Sequence, residues 1–145
     1  MSNIVQLRAA KIPLVGNIAV HYWLVIIQNQ SVERWEVWQR ANCCQYSWGH
    51  LHKNLLQYSQ GVGNGDSWLE AQWLDSQGDL LINTIRNSPE IYPYKYKYRY
   101  WPGPNSNTYV QWILNEAKTN HYLSYLGLGK NYQPGKIFNF FSTNY

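Results

Sequence analysis

"IAVHYWLVIIQNQSVERWEVWQ", residues 18–39, decides the fold. Its two ends, 18–27 and 32–39, are dense in β-branched and aromatic residues, which fit a pleated, half-buried surface. The polar "QNQS" between them, residues 28–31, is short enough to turn one strand back onto the other. A simple hairpin closed there sets residue 23 opposite 36 and residue 21 opposite 38. Side chains alternate between the faces of a strand, so His21, Trp23, Arg34, Glu36 and Trp38 then share one face. Glu36 falls diagonally across from His21. A one-residue slip of register would scatter this face.

The rest of the chain reads outward from that hairpin. "IVQLRAAKI" (4–12) is a candidate first strand and "PLVGN" (13–17) a turn. "SWGHLHKNLL" (47–56) is a candidate third strand, and "QGVGNGDS" (60–67) a glycine-rich loop. That loop lacks the Gly-Lys-Ser/Thr of a phosphate-binding loop and opens no helix of a βαβ unit. "GDLLINTIRN" (78–87) has helical spacing with Leu80, Leu81, Thr84 and Ile85 on one side; Ser88-Pro89 is expected to end it. "YKYKYRYW" (94–101) alternates in period two and reads as a strand. Pro102 to Pro104 turn the chain into a second helix at 106–117. That helix is expected to be buried on more than one side, with Trp112 in the core. "IFNFF" (137–141) is a short aromatic strand. Strands with two packed helices predict one α+β domain over residues 1–145, built on an antiparallel sheet.

Composition narrows the function. Hydrophobic residues make up 45% and charged residues 14% of 145, enough to build a core and too little charge for a disordered chain. Eight Trp and thirteen Tyr suit clefts and interfaces as well as a core. The net charge of +4 is too mild to imply nucleic-acid binding by itself. Lys95, Lys97 and Arg99 alternate with tyrosines, an arrangement that can stack bases, but a strand with solvated cations on one face explains it more simply. Adjacent cysteines rarely pair, so Cys43 and Cys44 are expected as thiols in a reducing, cytoplasmic setting. "IAVHYWLVII" is too short to span a bilayer.

The candidate chemistry lies in "GPNSNTYVQWI", residues 103–113. Asn105, Ser106, Asn107 and Thr108 stand where a helix begins, and each is a capping residue type. One cap suffices, so spare polar groups remain. A helix start also offers unpaired N–H groups and a positive dipole end, which suit an oxyanion. Ser106 is therefore either a cap or a nucleophile. His21 interrupts an apolar strand and is the candidate base. Glu36 is a candidate for orienting it, as a carboxylate does in a catalytic triad. His50 and His52 would share a strand face; without a readable third ligand they make no zinc site, and no cofactor is implied. His52 rivals Glu36 as the partner of His21.

The segments "RWEVW", "GHLHKNL", "GVGNG", "YRYWPGPNSNTYVQWI" and "LGLGKNY" together resemble an uncharacterised group of bacterial proteins with a Gly-Pro-Asn-Ser-Asn-Thr signature. The order of histidine on an early strand, polar residue on the next and nucleophile at a helix start is similar to that of circularly permuted papain-like enzymes of the lecithin:retinol acyltransferase type. That resemblance implies His21 in "HYW" as the base and Ser106 in "NSNTYV" at the nucleophile position, where the family carries cysteine. It also implies an amide, ester or thioester as substrate, from a small molecule, peptide or lipid. Serine depends more on a positioned base than cysteine does. The alternative is a domain that kept the cleft as a binding module and lost the reaction.

Overall fold

The hairpin forms in the expected register. Strands β2 (Val20–Gln28) and β3 (Ser31–Val37) pair antiparallel, with Gln28 opposite Ser31 and Leu24 opposite Trp35. Asn29 and Gln30 close the turn with φ of 49° and 66°. Two positive φ values in a two-residue loop match the right-handed twist of the strands they join. The computed structural model describes residues 3–13 and 19–135. The "IFNFF" strand and most of the "PLVGN" turn lie outside those residues.

Among the described residues four more strands extend the sheet. β1 (Ile4–Lys11) pairs with the other edge of β2, and β6 (Trp68–Leu74) pairs with β1. On the far side β5 (Leu51–Lys53) pairs with β3, and β4 (Ser47–Trp48) with β5. The order is β4-β5-β3-β2-β1-β6, antiparallel throughout. Helices α1 (Asp75–Ile91) and α2 (Ser106–Glu116) complete a single α+β domain. The helices share one core with the sheet: Tyr22, Leu24, Ile26, Trp35 and Val37 meet Leu81, Ile85, Tyr109 and Ile113. The opposite face carries Ala10, Trp23 and Val25, partly covered by Val62.

Several expectations are corrected. Residues 47–56 do not form one strand; residues 47–53 form the β4–β5 hairpin, which turns at Gly49 with φ +63°. A Cβ at Gly49 would stand 2.2 Å from the Lys95 carbonyl oxygen, so both φ and space demand glycine there. Strand β6 is an edge strand whose "WLEAQWL" is mostly exposed, so it lacks the alternation that would reveal it. Helix α1 runs through Pro89 to Ile91 rather than ending before it. Proline cannot donate to the Ile85 carbonyl one turn back, and the Ser88 hydroxyl does so instead at 2.6 Å. The buried face of α1 is Gly78, Leu81, Ile82, Ile85 and Ser88, whereas Leu80 is exposed.

Residues 94–101 are turns and irregular chain, not a strand. Their backbone groups bond to separate places: Lys95 O accepts from His50 N at 2.6 Å, Lys97 N donates to Tyr94 O, and Arg99 N donates to Pro104 O. Alternation without a neighbouring strand makes no ladder. Cys43 and Cys44 are joined as a disulfide rather than standing as thiols, so the cysteine argument for a reducing compartment falls. Among the described residues no helix is long and apolar enough to cross a membrane.

Helix α2 is buried on more than one side, as its wide apolar arc requires. Trp112, however, sits at the core margin, edge-on to Tyr92, while Ile113 is fully enclosed. Ile113→Ala therefore costs about 2–5 kcal/mol in a urea melt, and Trp112→Ala costs less than Ile113→Ala. The reverse ranking would contradict this packing.

Candidate functional site

The four polar residues that open α2 divide their work. Asn105 is the cap: its Oδ1 accepts from Asn107 N at 2.9 Å and Thr108 N at 3.3 Å. Thr108 answers with Oγ1, which accepts from Asn105 N at 3.0 Å and donates to Gly129 O at 2.6 Å. The Asn105 amide nitrogen donates to Tyr100 O and Leu128 O. Asn107 turns toward the sheet. Its Oδ1 accepts from Tyr22 N at 3.1 Å and its Nδ2 donates to Val20 O at 2.8 Å. The structural tasks are thus filled by Asn105, Asn107 and Thr108, and capping is not the role of Ser106.

Asn107 also explains how a helix on one face reaches a histidine on the other. β2 pairs with β1 from Val20 onward, but its pairing with β3 runs only from Leu24 to Gln28. The two strands part at the start of β2. Asn107 bonds the β2 backbone in that gap, and Leu126 O accepts from Val20 N at 3.0 Å. The first turn of α2 therefore sits in an opening of the sheet, within reach of His21.

There Ser106 Oγ lies 2.8 Å from His21 Nδ1, and His21 Nε2 lies 3.1 Å from Glu36 Oε1. Glu36 as a carboxylate can only accept, so Nε2 carries a proton; in the neutral imidazole Nδ1 is then the acceptor for the Ser106 hydroxyl. This is the connectivity of a nucleophile, base and orienting acid. Trp23 stacks on the imidazole at 5.4 Å between centroids and Trp38 meets it edge-on at 5.3 Å. These rings fix the plane in which Nδ1 points.

Glu36 is fully buried and must be compensated. Arg34 supplies the compensation, donating through Nε to Oε2 and through Nη2 to Oε1 at 3.0 Å. Burial pushes the Glu36 carboxyl up, but the His21 hydrogen bond, the positive charge His21 carries when it is protonated, and the charge and hydrogen bonds of Arg34 outweigh it. The result lies below the usual carboxylate range.

His52 is not the orienting residue. It pairs in register with Glu36 but does not touch His21. Its Nε2 donates to Arg40 O and its Nδ1 accepts from Ser47 Oγ, each at 2.7 Å. Burial lowers its basicity more than the Arg40 carbonyl and the Glu36 charge restore it. His50 Nδ1 donates to Trp38 O at 2.9 Å. The two histidines do not converge on one point. Cys43, Cys44 and His52 do lie close together. The sulfurs are bonded to each other and both His52 nitrogens are engaged, so the cluster offers no open ligand set.

The expected oxyanion donors are also narrowed. Asn107 N and Thr108 N are taken by Asn105, which leaves Ser106 N–H as the first-turn donor without a protein acceptor among the described residues. A cavity of about 350 Å³ opens over Ser106 and His21, lined by Ile12, Pro13, Trp38, Gln39, Val62, Tyr98 and Tyr100. Burial raises the Tyr98 phenol above its ordinary value, so it remains a neutral donor. The "LGLG" segment, residues 126–129, holds the helix start through carbonyls that no side chain announces. A Cβ on Gly129, whose φ is +89°, would stand 2.2 Å from the Asn105 amide nitrogen. A glycine pair flanking a leucine was the only available cue.

The Glu36 shift has a definite sign. Its folded value is depressed, so its contribution is present above the ordinary carboxylate range and lost as pH falls through the folded value. Glu36→Gln breaks a buried pair and lowers stability by about 3–5 kcal/mol at neutral pH. Thermal melts from pH 7 to pH 3 show a shallower acid loss in Glu36→Gln than in the wild type; parallel curves contradict this.

No curated protein and no solved structure matches the chain. A family model described as "Protein of unknown function (DUF3750)" matches residues 2–132, and the chain belongs to that family.

Proposed function

We propose that this protein is a hydrolase or acyltransferase that uses Ser106 as nucleophile and His21 as base, with Glu36 orienting the base. The observation that carries the reading is the continuous chain Ser106 Oγ–His21 Nδ1–Glu36, with links of 2.8 and 3.1 Å, beneath an open cavity. The first is within the reach of a nucleophile and its base, and the second is within that of a base and the group that orients it. The order of strand histidine, strand acid and helix-start nucleophile accords with a permuted papain-like frame carrying serine in place of cysteine.

Ser106 Oγ bonds to the carbonyl carbon of an ester, thioester or amide, and its proton passes to His21 Nδ1. The carbonyl electron pair moves onto oxygen, which Ser106 N–H can receive. As the tetrahedral carbon collapses, the bond to the leaving group breaks, and that group takes the proton from Nδ1. Water or an acceptor nucleophile repeats the sequence to release the acyl group. Among the described residues the cavity lining holds no Asp, Glu, Lys or Arg, which favours an uncharged acyl portion from a small molecule, peptide or lipid.

A fluorophosphonate probe tests the reading. It labels Ser106 in the wild type, read by mass spectrometry of the tryptic peptide, with fluoride as the leaving group. Labelling falls at low pH, because an imidazolium accepts no proton from the hydroxyl. His21→Ala abolishes it in a folded protein, while Ser106→Cys reacts with thiol reagents. Asn105→Ala loses about 1 kcal/mol of stability through the cap, whereas Ser106→Ala loses labelling without a comparable fall. A folded wild type that takes no label overturns the reading in favour of a binding module.

A further inference from the structure

Arg34 stands outside the three residues that perform the chemistry, yet it is buried as deeply as the apolar core. It is 1% exposed, and its side chain makes four polar contacts. Two go to the two oxygens of Glu36. Two go from Nη1 to Gln57 O at 2.8 Å and Gln60 O at 2.5 Å, in the loop that leads into the glycine-rich stretch. Its backbone N donates to Asn54 Oδ1. Its guanidinium lies 4.0 Å above the Trp23 ring, and Trp23 in turn stacks on His21. A surface ion pair would need none of this.

We infer that Arg34 is a positioning residue of the same site: it sets the charge and direction of Glu36, so that His21 Nδ1 is open to take a proton from Ser106. The inference rests on the reaction proposed above and deepens it. Charge counting gives the reason. With Arg34 positive and Glu36 negative, a neutral His21 completes a buried cluster of zero net charge. Proton transfer from Ser106 adds one positive charge, balanced by the oxyanion formed beside it. Without Arg34 the cluster carries a net negative charge in a low-dielectric setting. It then binds an extra proton, shared between Glu36 and His21, before substrate arrives. A histidine already protonated in that way is no base.

The fork geometry matters as well as the charge. Two parallel donors hold the carboxylate plane, and Oε1 accepts from both Arg34 and His21. The Gln57 and Gln60 carbonyls hold the fork in turn. The same loop supplies Val62 to the cavity wall, so wall and carboxylate are fixed by one segment.

Other charged or titratable groups near this cluster are few among the described residues. His52 on β5 is held by Ser47 and Arg40 O. Arg8 on β1, opposite Trp23, turns to Ser67 and the Tyr58 ring. Tyr98 and Tyr100 line the cavity from the segment before α2, and Arg40 lies beyond Trp38. Residues 57–64 bring no charged side chain. Glu33 faces away and pairs with Arg86 and Lys53.

The test is the pH profile of fluorophosphonate labelling in wild type, Arg34→Met and Arg34→Lys, each checked for its fold by circular dichroism. In Arg34→Met the acid limb of the labelling rate moves upward by about 1–3 pH units, the usual effect of losing an opposite charge at this range. Arg34→Lys restores the charge without the fork. Its limb returns most of the way toward the wild type while its plateau rate stays below it. A wild type that labels with the same acid limb in all three proteins overturns the role of Arg34 and leaves the reaction standing. A wild type that does not label at all overturns the reaction first. If Arg34→Met does not fold, Arg34→Lys decides alone: a plateau and limb both equal to the wild type contradict the inference.

Discussion

The placement of the site depends on one side chain, Asn107, seated between two strands that have parted. Its amide accepts from Tyr22 N and donates to Val20 O, taking up β2 backbone groups at the end that β3 leaves unpaired. Unpaired backbone groups in a buried sheet are costly, so the gap is stable only while something fills it. An amide, with one acceptor and two donor hydrogens at fixed spacing, fits that need. Filling the gap brings the first turn of α2 against β2, and the residue just before Asn107 is Ser106. The contact that completes the sheet is thus the contact that delivers the hydroxyl to His21.

A second arrangement complements the first. "LGLG" wraps the helix start: Leu128 O accepts from both Asn105 and Asn107, and Gly129 O accepts from Thr108. The capping residues are thereby tied to a segment more than twenty positions away. Every polar side chain in "NSNT" except the Ser106 hydroxyl is spent on structure. A helix start held this firmly loses little further freedom when a reacting group binds, which is where preorganised sites gain their advantage.

Much of this was legible in the sequence. The hairpin register followed from a short polar turn and period-two strands, and it correctly set His21, Trp23, Arg34 and Glu36 on one face. Ser106 at a helix start followed from the Gly-Pro turn and the apolar pattern after it. What stayed hidden depended on distant partners. Four capping residue types in a row cannot show which one caps, because the choice is made by Leu128, Gly129 and the β2 backbone. His52 and Glu36 looked equivalent as partners of His21 until Ser47 and the Arg40 carbonyl were seen to occupy both ring nitrogens. The alternation of 94–101 misled because it found no ladder. Pro89 misled because a serine hydroxyl can serve the carbonyl that a missing N–H leaves bare. The pattern places Arg34 on that face without a role, since nothing local announces that Gln57 and Gln60 will enclose it.

The central claim is that His21 presents an unprotonated Nδ1 to Ser106 while Nε2–H is held by Glu36. Nitrogen NMR of the histidine-labelled protein near neutral pH measures this without altering the molecule. The account predicts that His21 shows a directly bonded proton on Nε2, and an unprotonated Nδ1 whose shift moves in Ser106→Ala as its hydrogen bond is lost. A proton found on Nδ1 would make the imidazole a donor to the hydroxyl, leave Ser106 without a base, and contradict the account.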